Sequence, residues 1–246
     1  MAAYMFGKLP AKKDPRTLMF KKYLKPGLPE PPPAYNSLDR FIKTIGTDDV
    51  ETLFPMLGND RYGDCVMAGI AHAQTNFHAL TGKLEVMSEA EVIRIYFELS
   101  GGVDSGLSVL STLKHWKREG IGHHKIEGFV GLEEHDHSDI KNAIMLFGGV
   151  PLGFRVQNNA VSDFEHGKPW QPGPTDGGGH LVLGIAWKPN LVGVLTWGQL
   201  QWGTWEWWDA MVDESYCVLP PEARLPDFAP GYDFAALEQD IQLIAA

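Results

Sequence analysis

Apolar positions recur at helical spacing in the first half of this chain and in strand-like runs in the second half. A first long helix beginning near Asp64, an N-cap candidate, is predicted by apolar residues at helical spacing: Val66, Ile70, Ala73, Phe77 and Leu80. Ser88 and Glu91 have the spacing of a capping box, which predicts a second helix. A third helix is expected over about residues 106–118, and a shorter one is expected after Ser138.

Strands are predicted to dominate after residue 150. The apolar runs at residues 150–156, 180–187, 191–197 and 214–219 are typical of buried strands, and a Lys188-Pro189-Asn190 turn joins the second to the third. Residues 157–179 are predicted to form a long polar loop, and one short helix is predicted near residues 234–244. Helices followed by antiparallel strands indicate an α+β fold.

The two ends of the chain differ from its middle. Residues 1–50 show little periodicity and contain a proline-rich spacer at residues 26–33, which predicts an extended N-terminal arm. Residues 51–219 are predicted to form the folded domain, and residues 220–246 a C-terminal tail. The composition, 44% hydrophobic and 21% charged, with no apolar run of bilayer length, indicates a soluble protein and no membrane partner.

Charge separates the arm from the rest of the chain. The net charge is −10, yet residues 1–26 carry seven lysines and arginines against Asp14 alone. An acidic body makes nucleic acid an unfavourable partner. The basic arm is expected to dock on an acidic surface, which could belong to its own body, to a second copy in a homo-oligomer or to another protein.

Cysteine usage and the N-terminus suggest a compartment. Two cysteines, Cys65 and Cys217, are too few for a disulfide scaffold and fit a reducing environment. The first residues lack the apolar segment of a signal peptide, so nothing in them predicts conventional secretion. Cys217 lies in an alternating strand pattern and is expected to be buried.

Cys65 is the leading candidate for chemistry. It follows a glycine-punctuated turn and begins the first long helix, where unpaired N–H groups and the helix dipole favour a thiolate. An inert buried thiol is the alternative, since free cysteine is often buried. His180, after three glycines, begins an apolar strand and could equally be a structural histidine.

Two histidine-containing segments have ligand types that suit a divalent transition metal: His123-His124 and residues 133–137. Both lie on predicted loops without the paired spacing of a metal motif, so neither a metal site nor any other cofactor is predicted.

The order of these elements resembles the papain-like cysteine peptidases. In that superfamily a cysteine begins the first long helix, and a histidine begins a strand in the C-terminal β half. Cys65 and His180 match these positions, and Trp197-Gly198 with Trp202-Gly203 resembles the family's Trp-Gly run. The resemblance covers about residues 51–219. It implies a papain-like α+β fold with Cys65 and His180 as the catalytic pair.

The resemblance also assigns supporting roles. Asn59, six residues before Cys65, matches the glutamine that stabilises the oxyanion in the family, although an asparagine is equally a turn residue here. The residue that orients the histidine falls at Leu195 or Thr196, neither of which is the usual asparagine. Thr196 offers a hydroxyl, and Asp176 on the preceding loop is a second candidate. Trp197 is expected to shield or pack against the site, and the later tryptophans are expected in the core or an interface.

The resemblance implies a cysteine hydrolase that cleaves a peptide or peptidoglycan amide bond. The absent disulfides fit a member from the cytoplasm of a bacterial host or from a phage, including a virion component. The alternative is a papain-like structural component of a larger assembly, such as a phage virion, with weak or no catalysis. A transglutaminase or acyltransferase that uses the same pair is a third hypothesis.

Overall fold

The computed structural model describes residues 4–225 and 227–245. Residues 1–3 of the predicted arm, and residues 226 and 246 of the predicted tail, lie outside the described residues. The helices in chain order are α1 (Leu38–Ile45), α2 (Val50–Leu53), α3 (Cys65–Leu80), α4 (Glu89–Leu99), α5 (Val109–Arg118), α6 (His137–Phe147), α7 (Ala160–Glu165), α8 (Trp205–Met211) and α9 (Phe234–Ala245). Two short 3-10 helices cover Phe20–Tyr23 and Pro221–Arg224.

Local signals in the sequence predict the starts of α3, α4 and α9 correctly. Helix α3 begins at Cys65, and the Ser88 side chain accepts a hydrogen bond from the N–H of Glu91 at the start of α4. Helix α6 begins at His137 instead of after Ser138, because the Asp136 side chain caps it by accepting from the N–H of Asp139. Helix α1 lies in the stretch predicted to be extended, which is wrong for these residues.

An antiparallel sheet forms the other half of the fold. Its strands are β1 (Tyr35–Asn36), β2 (Gly128–Gly131), β3 (Val150–Gln157), β4 (Thr175–Lys188), β5 (Leu191–Thr196), β6 (Gln199–Thr204) and β7 (Val212–Leu219). The strand order is β2-β7-β3-β4-β5-β6, with β1 added beside β4. The prediction of a loop over residues 157–179 is wrong at two places, because α7 forms a helix within it and β4 begins at Thr175. The α+β prediction is confirmed.

Helix α3 packs directly on β4. Every residue of α3 is buried, as expected for a helix that is apolar on most of its surface. A Cβ atom on Gly69 would lie 2.7 Å from the end of the Leu181 side chain, so glycine lets the two elements approach closely without a shift of that leucine. The contact brings the N-terminal end of α3, with Cys65, beside His180, the residue before Leu181.

The tryptophan-rich segment belongs to the core. It forms β6 and α8, and Trp207 and Trp208 are fully buried together with Trp170. The Trp207 ring packs 5.0 Å from that of Phe154, centroid to centroid, beneath the sheet. The prediction of a packing role for these tryptophans is confirmed.

Within residues 4–225 and 227–245, no helix is long and apolar enough to cross a membrane.

The basic arm lies against the body of the same chain. Phe20 and Tyr23 are buried, and the Phe20 ring stacks 5.2 Å from the Tyr232 ring near the C-terminal end. Ion pairs at the surface add to this packing, among them Lys21 to Asp136 at 2.5 Å. Exposed ion pairs contribute about 0–1 kcal/mol each, so in this part of the arm burial of the two aromatic rings contributes more than the surface pairs do.

Candidate active site

Cys65, His180, Asn59 and Thr196 line the same small cavity, of about 10 Å³, at the junction of α3 and the sheet. All four side chains are buried. The four residues are spread over 138 positions of the chain, and the contact between α3 and β4 gathers them in one place.

The His180 ring has a fixed orientation. Its Nε2 lies 2.8 Å from Thr196 Oγ1 on the neighbouring strand β5. Nδ1 is therefore the ring nitrogen that Thr196 does not engage. The Trp197 ring stacks on the imidazole, with centroids 4.7 Å apart. Thr196 is therefore the candidate orienting residue that contacts the ring, and the Trp197 ring packs against the imidazole as expected. Asp176, the other candidate, is exposed on β4, and Leu195 is apolar.

Asn59 reaches the site through its side-chain amide. Its Oδ1 accepts a hydrogen bond of 2.9 Å from the indole N–H of Trp197, which defines which end of the amide is the donor. Its Nδ2 donates to the Tyr62 carbonyl at 3.2 Å and to the Met5 carbonyl at 3.1 Å. The amide that the resemblance assigns to an oxyanion is thus satisfied by a carbonyl of the N-terminal arm.

Residues 4–9 of the arm, named here the plug, lie as an extended peptide across this site. Met5 N–H donates to the Asn59 carbonyl at 2.9 Å, and Lys8 N–H donates to the Gly179 carbonyl at 3.0 Å. Leu107 N–H donates to the Gly7 carbonyl at 2.8 Å, and Leu9 N–H donates back to the Leu107 carbonyl at 2.9 Å. Lys8 and Leu107 form a parallel bridge. The plug is therefore bound through its backbone on both sides of Cys65.

Glycines make room for the plug. A Cβ atom on Gly106 would lie 2.1 Å from the Gly7 carbonyl oxygen, and one on Gly179 would lie 2.4 Å from the Lys8 carbonyl oxygen. On the plug itself, a Cβ on Gly7 would lie 1.7 Å from the Gly63 carbonyl oxygen. Real Cβ atoms do not approach backbone atoms this closely, so a larger residue at any of these positions excludes the plug from its present place.

Lys8 inserts its side chain into an acidic pocket. The side chain is 1% exposed, and its ammonium lies 2.9 Å from Asp213 Oδ1 and 3.2 Å from Glu214 Oε1. The floor of the pocket is Gly153, where a Cβ would lie 2.0 Å from Lys8 Cε. Burial raises the pKa of Glu214, and the neighbouring ammonium of Lys8 opposes this shift. A long cationic side chain thus matches both the depth and the charge of the pocket.

In this plugged conformation the pair is electrically neutral at pH 7. Burial raises the pKa of the Cys65 thiol to about 11, although the backbone amides of Leu181, Gly7 and Lys8 favour the thiolate. Burial also lowers the pKa of His180 to about 3. A thiol and a neutral imidazole are the forms of lowest energy when water is excluded. Ionisation of the pair requires access of water or of a polar substrate.

Asp64, directly before Cys65, has a role that the sequence does not reveal. It stands at the N-cap position of α3 but makes no side-chain capping bond. The carboxyl is fully buried, and within the described part of the chain neither oxygen has a hydrogen-bond partner. Burial raises its pKa to about 7, while the nearby Asn59 amide lowers it in part. Around neutral pH the residue before the candidate nucleophile therefore exchanges a proton.

We expect Asp64→Asn to change how stability depends on pH. A carboxyl whose pKa rises from 3.8 to about 7 on folding binds its proton more tightly in the folded chain. Its contribution is therefore greatest below about pH 4 and is lost as pH rises to about 7, at about 1.4 kcal/mol per pKa unit and up to about 4 kcal/mol in total. Urea unfolding between pH 4 and pH 8 should show a flatter profile for Asp64→Asn. Parallel profiles for the two proteins would contradict the raised pKa.

The fold is that of the papain-like cysteine peptidases. Xylellain, a cysteine protease from Xylella fastidiosa, superposes with a TM-score of 0.67 at 15% identity, over 88% of this chain and 96% of xylellain. Procathepsin B S9 from Trypanosoma congolense gives 0.63 at 11% identity, over 88% and 86%. The digestive procathepsin L2 from Tenebrio molitor larval midgut gives 0.60 at 12% identity, over 89% and 79%. The sequence itself matches no protein-family model, and no curated protein is significantly similar to it.

The resemblance to the papain-like peptidases predicts Cys65, His180, Asn59 and Thr196 as site residues, and the fold brings these four together. The sequence patterns miss the plug, the acidic pocket at Asp213 and Glu214, and the buried carboxyl of Asp64. The excess of basic residues in the arm indicates docking on an acidic surface, but it does not locate Lys8 in a pocket formed 205 residues later.

Proposed function

We propose that this chain is a cysteine peptidase that hydrolyses amide bonds with Cys65 as nucleophile, and that the plug blocks its groove until it is displaced. The observation that carries the proposal is the plug itself. An extended peptide lies over Cys65, hydrogen-bonded at Asn59, Leu107 and Gly179, so the groove is built to hold a peptide backbone. A peptide from another molecule can make the same hydrogen bonds when the plug leaves.

The proposed reaction follows from the side chains around Cys65. The thiol transfers its proton to His180 Nδ1, and the sulfur attacks the carbonyl carbon of the scissile amide. The resulting oxyanion accepts hydrogen bonds from the Cys65 backbone N–H and from Asn59 Nδ2, which the Met5 carbonyl occupies in the plugged chain. His180 then protonates the leaving amine, and the thioester remains on Cys65.

Hydrolysis completes the cycle. His180 Nδ1 takes a proton from a water molecule, and the hydroxide attacks the thioester carbonyl carbon. The carbon–sulfur bond breaks, the acid product leaves, and the thiolate recovers the proton from His180. Thr196 Oγ1, which lies 2.8 Å from Nε2, holds the ring so that Nδ1 remains available. Thr196 acts through His180, so it is a positioning residue.

The pocket around Lys8 suggests the substrate class. The carboxylates of Asp213 and Glu214 stand at the end of a pocket whose floor is Gly153, and they favour a lysine or arginine side chain. Two neighbouring carboxylates with little access to water are unfavourable without a cation. The proposed substrate is therefore a peptide that places a basic side chain in this pocket. Peptide stems of peptidoglycan that carry a diamino acid and basic segments of proteins both have this chemistry.

A second candidate function is a non-catalytic component of a larger assembly, such as a virion. The observation in its favour is the same plug, because Lys8 is buried in an ion-paired pocket and the rest of the arm packs on the body. An arm that never leaves would give a papain-like scaffold without turnover.

Hydrolysis by a full-length chain with a destabilised plug separates the two functions. We expect Gly7→Val to cleave a broad peptide library or purified peptidoglycan, because a valine side chain at this position clashes with the Gly63 carbonyl. Adding Cys65→Ala should lower the rate at least about 10⁴-fold, since it removes the nucleophile. The activity is measured as the number of new amino termini that hydrolysis produces. Equal yields with and without Cys65, or no cleavage by Gly7→Val, would contradict the peptidase and favour the scaffold.

A further inference from the structure

A cluster of metal-ligand side chains lies away from the plugged groove. His78, in the last turn of α3, and His124, in the turn after α5, are both buried, and both face Glu222 of the second 3-10 helix. The Nε2 atom of His78 lies 3.6 Å from Glu222 Oε1, and that of His124 lies 3.2 Å from Glu222 Oε2. One ligand atom from each of the three residues lies within 4.8 Å of those of the other two.

We propose that His78, His124 and Glu222 bind a divalent transition metal ion, with Zn²⁺ the best fit. Metal–nitrogen and metal–oxygen bonds of about 2.0–2.1 Å in a tetrahedron place neighbouring ligand atoms about 3.3 Å apart. The two nitrogen–oxygen separations bracket this value, so small side-chain rotations complete the site. Two imidazoles and one carboxylate are a ligand set that suits Zn²⁺ and neighbouring transition metals better than Ca²⁺ or Mg²⁺.

The surroundings of the cluster hold the ligands in place. The His124 ring lies between aromatic neighbours, stacked on Phe77 with centroids 6.3 Å apart and 5.6 Å from Trp116. A carboxylate oxygen of Glu85 lies 3.4 Å from Nδ1 of His78, on the side of the ring away from Glu222. The exposed Glu85 side chain needs only a small shift to accept a hydrogen bond from this Nδ1, and such a bond would favour the tautomer that keeps Nε2 free for a metal.

The fourth position of the tetrahedron faces a cavity. This cavity has a volume of about 410 Å³ and is lined by all three ligands, by Glu85 and by the exposed His123. A metal ion therefore has a path of entry and room for a bound water. Because Glu222 belongs to the C-terminal segment, the metal would tie residues 221–224 to α3. The site is thus a structural link that does not depend on the proposed peptidase activity.

Titration of the full-length chain with Zn²⁺ tests the proposal. We expect one ion to bind per chain and to raise the thermal midpoint of unfolding, and Co²⁺ in the same site should show the intense visible absorption of tetrahedral coordination. His124→Gln or Glu222→Gln should weaken binding at least about 10–100-fold, and Glu85→Gln by up to that amount. His166→Gln, an exposed histidine outside this cavity, is the matched control and should bind as the wild type does.

Other results would overturn the site. One such result is the absence of stoichiometric binding by the wild type, and another is unchanged binding in folded His124→Gln or Glu222→Gln. Binding that disappears in His137→Gln would place the ion at the more exposed pair of His137 and Asp209 instead. If a ligand variant does not fold, X-ray absorption of the Zn²⁺-loaded wild type decides, because it must show two imidazole nitrogens around the metal.

Discussion

Gly7→Val should make Cys65 react with iodoacetamide at least about 100-fold faster than in the wild type at pH 7.5. With the plug in place Cys65 is 1% exposed, and burial raises the pKa of its thiol to about 11 against an ordinary value of 9.0. Each unit by which the pKa of the Cys65 thiol falls when the plug is displaced gives about ten times more thiolate. Easier access of the reagent increases the alkylation rate further. Mass spectrometry of the alkylated peptide measures the rate for each cysteine separately.

The same protein contains its own control for this experiment. Cys217 is fully buried in β7, where it pairs with Val130 of β2, and burial raises its pKa well above the usual value. Its slow alkylation should be the same in both proteins unless Gly7→Val unfolds the chain. Lys12→Ala, an exposed change just after the plug, should leave Cys65 as unreactive as in the wild type. Equal Cys65 rates in wild type and Gly7→Val would mean that the plug does not limit access.

Selectivity for a basic side chain should disappear when the acidic pocket is neutralised. In the Gly7→Val chain we expect peptides with lysine or arginine in the pocket to have kcat/KM values at least about 30-fold higher than matched norleucine peptides. Removal of one partner from a buried ion pair costs about 2–5 kcal/mol, which sets this scale. Glu214→Gln should remove most of the preference. Asp213→Asn should remove less, because Asp213 is 25% exposed and is partly solvated.

Binding can be measured without turnover, which separates this prediction from the peptidase proposal. A synthetic peptide of residues 4–12, and the same peptide with norleucine in place of Lys8, can be titrated into the Gly7→Val and Cys65→Ala double variant. Tighter binding of the lysine peptide, lost with Glu214→Gln and kept with the exposed Glu206→Gln, supports the pocket even if no substrate is cleaved. Equal binding of both peptides would contradict it.

Short-range signals explain what the sequence predicts well. Helix α3 is predicted by apolar positions at helical spacing, and the strand after His180 is predicted by a continuous apolar run. Once their order resembles that of a known family, Asn59 and Trp197 take positions relative to Cys65 and His180, and the structure brings these residues together. Thr196 and Leu195 could not be distinguished from sequence, because a shift of one residue in a strand reverses the face on which a side chain lies.

The features that the sequence does not predict depend on contacts between residues that are distant in the chain. Residues 4–9 are ordered by hydrogen bonds to Asn59, Leu107 and Gly179. Because these contacts are distant in sequence, the arm shows no local pattern that would predict its conformation. Helix α1, later in the arm, is likewise not predicted from the sequence. The buried carboxyl of Asp64 and the cluster at Glu222 arise in the same way, because burial and proximity are set by segments distant in sequence.

The glycines at positions 106 and 179 constrain how regulation of this groove can be altered. Any side chain added there expels the plug, but it would also exclude every foreign peptide that follows the same backbone path. Substitutions at these two glycines therefore cannot separate release of the plug from loss of substrate, whereas substitutions at Gly7 or Lys8 can. A form of this protein whose plug leaves more readily can arise by changes within residues 4–9 that leave these walls of the groove intact.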